Sequence, residues 1–114
     1  MADFNYKILT NLTSMTAASG GLFVNTAATA SYVRQIILHN VTSSVEQVQL
    51  WLTPATQVAA DAYKFFNYTL SGSTTFIADM GIPGLMLTQS NASISGSCTD
   101  DSKINIMIIG GSEQ

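Results

Sequence analysis

The chain has 114 residues, of which seven are acidic, four are cationic and one is His, giving a formal net charge of -3. Apolar residues make up 46% and aromatics 9%, too apolar a mixture for a chain that stays unfolded, and the length suits one domain, 1–114, with a sizeable core. Lys7, Arg34, Lys64 and Lys103 stand far apart, so there is no basic stripe to meet a nucleic acid, and so little charge leaves a surface wetted by hydroxyls and amides or covered by neighbours.

The first residues, Met1-Ala2-Asp3-Phe4-Asn5-Tyr6-Lys7, show no basic region followed by an apolar one. No apolar run approaches the length of a membrane span, which predicts a chain made in the cytosol and not embedded in a membrane. Residues 6–14 (YKILTNLTS) alternate and predict a first strand, so residues 1–29 read as an N-terminal strand and arm available for assembly. Leu22-Phe23-Val24 follows the Gly20-Gly21 break, and residues 31–41 (SYVRQIILHNV) form the clearest long strand. There Ile36-Ile37-Leu38 is apolar on both faces, the pattern of a central strand covered on both sides.

Thr42-Ser43-Ser44 has turn chemistry, and residues 45–52 then place Val48, Leu50 and Leu52 on one face and Gln47, Gln49 and Trp51 on the other. The two strands read as a hairpin. Trp51 either closes the core from the edge or anchors an interface. Pro54 ends the strand, and residues 55–62 carry the only helical propensity, enough for a short turn. Residues 63–70 and 73–79 flank Ser71-Gly72 as a second hairpin, with Phe66, Tyr68 and Leu70 opposite Phe65, Asn67 and Thr69. Pro83-Gly84 marks a loop, and strands follow at 85–89, 92–98 and 103–109. In the last, Ile104, Ile106 and Ile108 oppose Asn105, Met107 and Ile109, so its outer face too calls for a second layer or a second subunit.

Eight or nine short strands about ten residues apart predict an all-β antiparallel sandwich or jelly roll of about eight strands, with at most one short helix; an up-and-down barrel is the alternative. Groups able to do chemistry are sparse. A Cys98/His39 dyad would need a third, orienting group, and Cys98 reads more simply as a small core residue of a strand. Asp100-Asp101 lacks the spaced ligands of a calcium loop and reads as turn chemistry. Glu46 and Asp79 sit at strand ends with nothing to couple them as an acid/base pair. Asn11, Asn40, Asn67 and Asn91 each begin an Asn-x-Ser/Thr triplet, which in so hydroxyl-rich a chain is coincidence. These residues predict no catalytic site, no cofactor and no metal.

Three segments, residues 33–43 (VRQIILHNVTS), 45–54 (VEQVQLWLTP) and 103–113 (KINIMIIGGSE), together resemble small β-sandwich virion proteins of tailed bacteriophages. The resemblance spans roughly residues 30–113, and it departs from the family's pattern at 79–85 (DMGIPGL). It implies a non-enzymatic virion protein made in the host bacterial cytoplasm: a head decoration (cement) protein first, a tail or baseplate component as alternative. It also implies self-association, a trimer by the habit of shell decorations, and contact with the major capsid protein or other virion proteins. The contact residues it suggests are Phe4, Tyr6 and Ile8 near the N-terminus and the Gln47, Gln49 and Trp51 face. A carbohydrate- or host-receptor-binding head, stacking a sugar on Trp51, Tyr63 or Tyr68, is the reading from a different class.

Overall fold

The computed structural model describes residues 4–25, 30–54, 60–81, 84–88 and 91–113. Among them nine strands follow in chain order: β1 (Phe4–Ser14), β2 (Gly20–Val24), β3 (Ser31–Asn40), β4 (Glu46–Thr53), β5 (Lys64–Leu70), β6 (Thr75–Asp79), β7 (Leu85–Leu87), β8 (Ser93–Cys98) and β9 (Ile104–Glu113). A 3-10 turn, Asp61–Tyr63, precedes β5. Residues 55–59 of the expected helical turn lie outside the described residues.

The strands form two antiparallel sheets. The first has the order β1-β9-β3-β6, with the short β7 also paired to β3, and the second has the order β2-β8-β4-β5. Consecutive strands thus alternate between sheets over most of the chain, which is the double Greek key of a jelly roll. This corrects both expected hairpins. β3 pairs with β9, β6 and β7 while β4 pairs with β5 and β8, so residues 41–45 carry the chain from one sheet to the other. Residues 71–74 do the same between β5 and β6.

One buried side chain explains why these turns cross rather than double back. Asn40 ends β3 fully buried. Its Nδ2 donates to the carbonyls of Ser44 (2.7 Å), Ser71 (3.2 Å) and Leu70 (3.3 Å), and its Oδ1 accepts from Thr42 N–H (2.9 Å) and the Thr42 hydroxyl (2.8 Å). Both crossings are therefore tied to one amide. The turns also lie against each other: Ser73 N–H donates to the Thr42 carbonyl (2.8 Å), and a Cβ on Gly72 would strike the Ser43 backbone.

The core lies between the sheets and follows the period-2 alternation of the strands. Ile36, Leu38, Ile106 and Ile108 of the first sheet and Val48, Leu50 and Ile94 of the second are fully buried. Gly96 is on the inner face as well, because Met15, Leu22 and Leu50 fill the space its side chain would need. At the β5/β6 side the sandwich is closed by rings: Tyr68 stacks on Phe76 at 4.4 Å, and Phe66 lies 6.0 Å from both.

Replacing Asn40 by Ala strips partners from buried carbonyls in both crossings. It is expected to cost about 3 kcal/mol of stability in urea unfolding, whereas Asn67→Ala, on the exposed outer face of β5, should stay within about 0.5 kcal/mol.

Candidate functional site

The outward-facing residues of the first sheet include a run of apolar side chains. Strand register sets them in rows: Ile77 pairs with Ile37 and Ile37 with Met107, while Ile109 pairs with Ile8 on one side and Gln35 on the other. Ile8 is 52% exposed and Ile77 54%, and Ile37, Met107 and Ile109 are half-buried. Leu12, 59% exposed, lies in the β1 bulge between Thr10 and Thr13, opposite the stretch of β9 that carries Met107. Toward the turn end the face becomes polar, with His39 paired to Asn105 and Thr75, and the His39 Nδ1 and Thr75 hydroxyl 2.8 Å apart. Toward the other end stand Gln35 and Asp79.

The two groups of expected contact residues fall on different sheets. Phe4 pairs with Glu113 and Tyr6 with Gly111, as part of β1 at the edge of the first sheet; their side chains lie outside the described residues. Ile8 belongs to the apolar face. Gln47, Gln49 and Trp51 lie on the outer face of the second sheet, so the structure does not bring them to Ile8. Gln47 is exposed and donates through Nε2 to Asn67 Oδ1 (2.8 Å). Trp51 is only 7% exposed: the Lys64 ammonium sits 5.7 Å from its ring centre, and the 3-10 turn packs on β4. It is covered within the chain, which counts against its exposure as an anchor.

At the centre of this second face the residues are uncharged and polar, with Gln47 and Gln49 beside Asn67, Thr69, Ser95 and Ser97, while Val24 stands exposed at the β2 edge. A shallow cleft of about 230 Å³ is lined there by Gln47, Gln49, Ser97, Cys98 and Thr99. Another of about 260 Å³ opens beside Leu52, Thr53 and Met86. Neither gathers titratable groups, and among the described residues no three His, Cys, Asp or Glu side chains are placed to hold a metal ion.

The candidate chemical groups are scattered. His39 is on the first sheet and Cys98 on the inner side of the second, where its thiol donates to the Asp100 carbonyl (3.0 Å). Burial pushes the Cys98 thiol up, and the nearby Glu46 adds to the effect. Glu46 begins β4 and Asp79 ends β6, at opposite ends of different sheets, so they do not pair. Asp101 Oδ1 accepts from Ala17 N–H, pinning the β8–β9 turn to the β1–β2 turn.

Glu46 sits in an environment that its strand-end position in the sequence does not announce. It is 2% exposed, and its Oε1 accepts from Asp100 N–H (3.1 Å). Burial lifts its carboxyl above the ordinary 4.5, with the Asp100 carboxyl raising it further against the opposing pull of the Asp100 N–H and Lys103. The signal was available, since Glu46 shares strand parity with Val48 and Leu50.

Comparison of the chain with family models, with curated proteins and with solved structures finds no match in any of the three. No helix among the described residues is long and apolar enough to cross a membrane.

Two outcomes test this geometry. Ile36→Ala, on the inner face, is expected to cost about 2–5 kcal/mol in urea unfolding, while Ile77→Ala, on the outer face, should cost within about 0.5 kcal/mol. Because the folded state holds the Glu46 proton more tightly than the unfolded chain does, stability falls as pH rises from the ordinary carboxyl value toward the raised one, then levels off. Glu46→Gln should therefore be more stable than the parent at pH 7, with the gap closing below about pH 4 in thermal melts.

Proposed function

We propose that the chain is a non-enzymatic structural protein of a phage particle, a decoration protein that lays the outer face of its first sheet on the assembled shell. One observation carries the reading: the row Ile77-Ile37-Met107, continued by Ile109 and Ile8, is an apolar sheet face on a chain otherwise almost without charge. A contiguous apolar patch of this kind is a mark of a docking surface. The segments that carry the resemblance to virion proteins support it, because residues 33–43 and 103–113 contain most of β3 and all of β9, the two central strands of that face. The jelly roll adds an argument by fold analogy only, since the fold serves both capsid proteins and lectins.

Such a protein acts by mass action. It binds the assembled shell and not free subunits, so each bound copy adds its binding free energy to the shell's resistance to disassembly. The Ile-rich centre supplies burial, while Gln35, Asn105, His39 and Thr75 supply a polar rim that fixes orientation. The sugar-binding reading has less support: Trp51 is buried in a strand, and the Tyr68 ring is already stacked on Phe76.

Quantitative mass spectrometry of purified particles, normalised to the most abundant shell protein, tests the proposal. Hundreds of copies per particle are expected; a few to a few dozen would move the protein to the tail or a vertex, and absence would overturn the virion reading. An Ile37→Asp variant, substituted at the centre of the face, should fail to add to shells that lack the protein.

A further inference from the structure

An open strand edge invites pairing with another chain, and proteins protect such edges with bulges, charge or short length. The edge strands among the described residues are β1 and β6 in the first sheet and β2 and β5 in the second, with the three-residue β7 continuing the β6 edge along the same side of β3. β1 is bulged twice against β9 and carries Lys7. β2 is bulged against β8, and its Leu22 carbonyl accepts from the Thr10 hydroxyl (2.8 Å). β5 begins with Lys64, and its pairing with β4 is bulged between Leu50 and Trp51. β6 has no bulge, Lys or Pro: it runs from His39↔Thr75 to Gln35↔Asp79 without a shift in register, and its one charge, Asp79, stands at its end.

Hydrogen-bond parity shows which groups β6 presents. Asn40 N–H donates to the Thr74 carbonyl and Met80 N–H to the Arg34 carbonyl, so the even-numbered residues Phe76 and Ala78 turn their backbone groups toward β3. Thr75, Ile77 and Asp79 turn theirs to the open side, where no strand of the described residues pairs, and all three side chains are exposed.

We propose that this edge pairs with a second copy of the chain, β6 antiparallel to β6 about a two-fold axis at Ile77. The segment Thr75-Phe76-Ile77-Ala78-Asp79 is complementary to itself in that register. Ile77 meets Ile77 of the second copy. Thr75 of each copy stands opposite Asp79 of the other, a hydroxyl against a carboxylate with no like charges opposed. Phe76 stands opposite Ala78, large against small. A hydroxyl donates once and accepts twice, so Thr75 can hold His39 on one side and the facing carboxylate on the other. The backbone groups of Thr75, Ile77 and Asp79 then form about six hydrogen bonds across the axis.

The pairing joins two first sheets into one, and the row Met107-Ile37-Ile77 continues through the axis into its copy, doubling the apolar face. It uses little area beyond the edge itself, which places it among weak interfaces that fill at high local concentration. Being two-fold, it leaves any three-fold assembly to a different surface. It stands independently of the particle reading, because it rests on the edge alone.

Sedimentation equilibrium tests it. The average mass of the parent chain should rise from 12.1 kDa toward twice that value between about 1 µM and 1 mM. Ile77→Pro removes an N–H that points away from β3, a position where proline is tolerated, and should stay monomeric with an unchanged thermal melt. Should that variant misfold, Ile77→Cys decides. Residues directly opposite at the axis have Cα atoms about 5.5 Å apart, within disulfide range, so this variant should oxidise to a covalent dimer far faster than Val24→Cys, an exposed position on the protected β2 edge. A parent monomeric to 1 mM, an Ile77→Pro variant that dimerises like the parent, or equal cross-linking of the two Cys variants would each overturn the proposal.

Discussion

Two of the crossings between the sheets hang on one buried amide, that of Asn40. A buried amide carries two donors and an acceptor with two lone pairs, and leaving them unpaired would cost several kcal/mol. Here the Thr42 turn and the Ser44, Leu70 and Ser71 carbonyls meet those needs from two separate stretches of chain. Neither stretch could fold back as a hairpin without abandoning the amide. The strand alternation between sheets, and with it the assignment of β3, β6 and β9 to one apolar outer face, follows from that constraint.

What the sequence made legible was the face of each residue, and what it hid was the sheet. Ile104, Ile106 and Ile108, or Val48 and Leu50, announce an inner face by period alone, and all are fully buried. Period says nothing about which strand lies alongside, so Thr42-Ser43-Ser44 and Ser71-Gly72 looked like hairpin turns when both are crossings. The deciding contacts join residues about thirty positions apart, such as Asn40 to Leu70 and Ser71, which no local pattern carries. The candidate site was half legible for the same reason. Met107 and Ile109 were readable as apolar residues on an outer face, but their union with Ile37, Ile77 and Ile8 needed the register.

Trp51 shows the opposite limit. Its strand position beside Gln47 and Gln49 left two roles open, closing the core from the edge or anchoring an interface; the ring is covered because the 3-10 turn packs on β4 and Lys64 sits over it. The Trp51 indole N–H and the Thr53 hydroxyl are buried there without a hydrogen-bond partner among the described residues. Polar atoms left this way are a local conflict between folding and hydrogen bonding, and they occur on the outer face of the second sheet, away from the apolar row.

The two broad faces of the sandwich differ in kind. One has an apolar row, and the other has a centre of amides and hydroxyls: Gln47, Gln49, Asn67, Thr69, Ser95 and Ser97. If the first lies against a neighbour, the second becomes the surface that meets the surroundings. Dissolved ions weaken attraction and repulsion between charges but have little purchase on dipoles bound to water. A coat of that composition therefore responds little to the screening of charge that added salt brings.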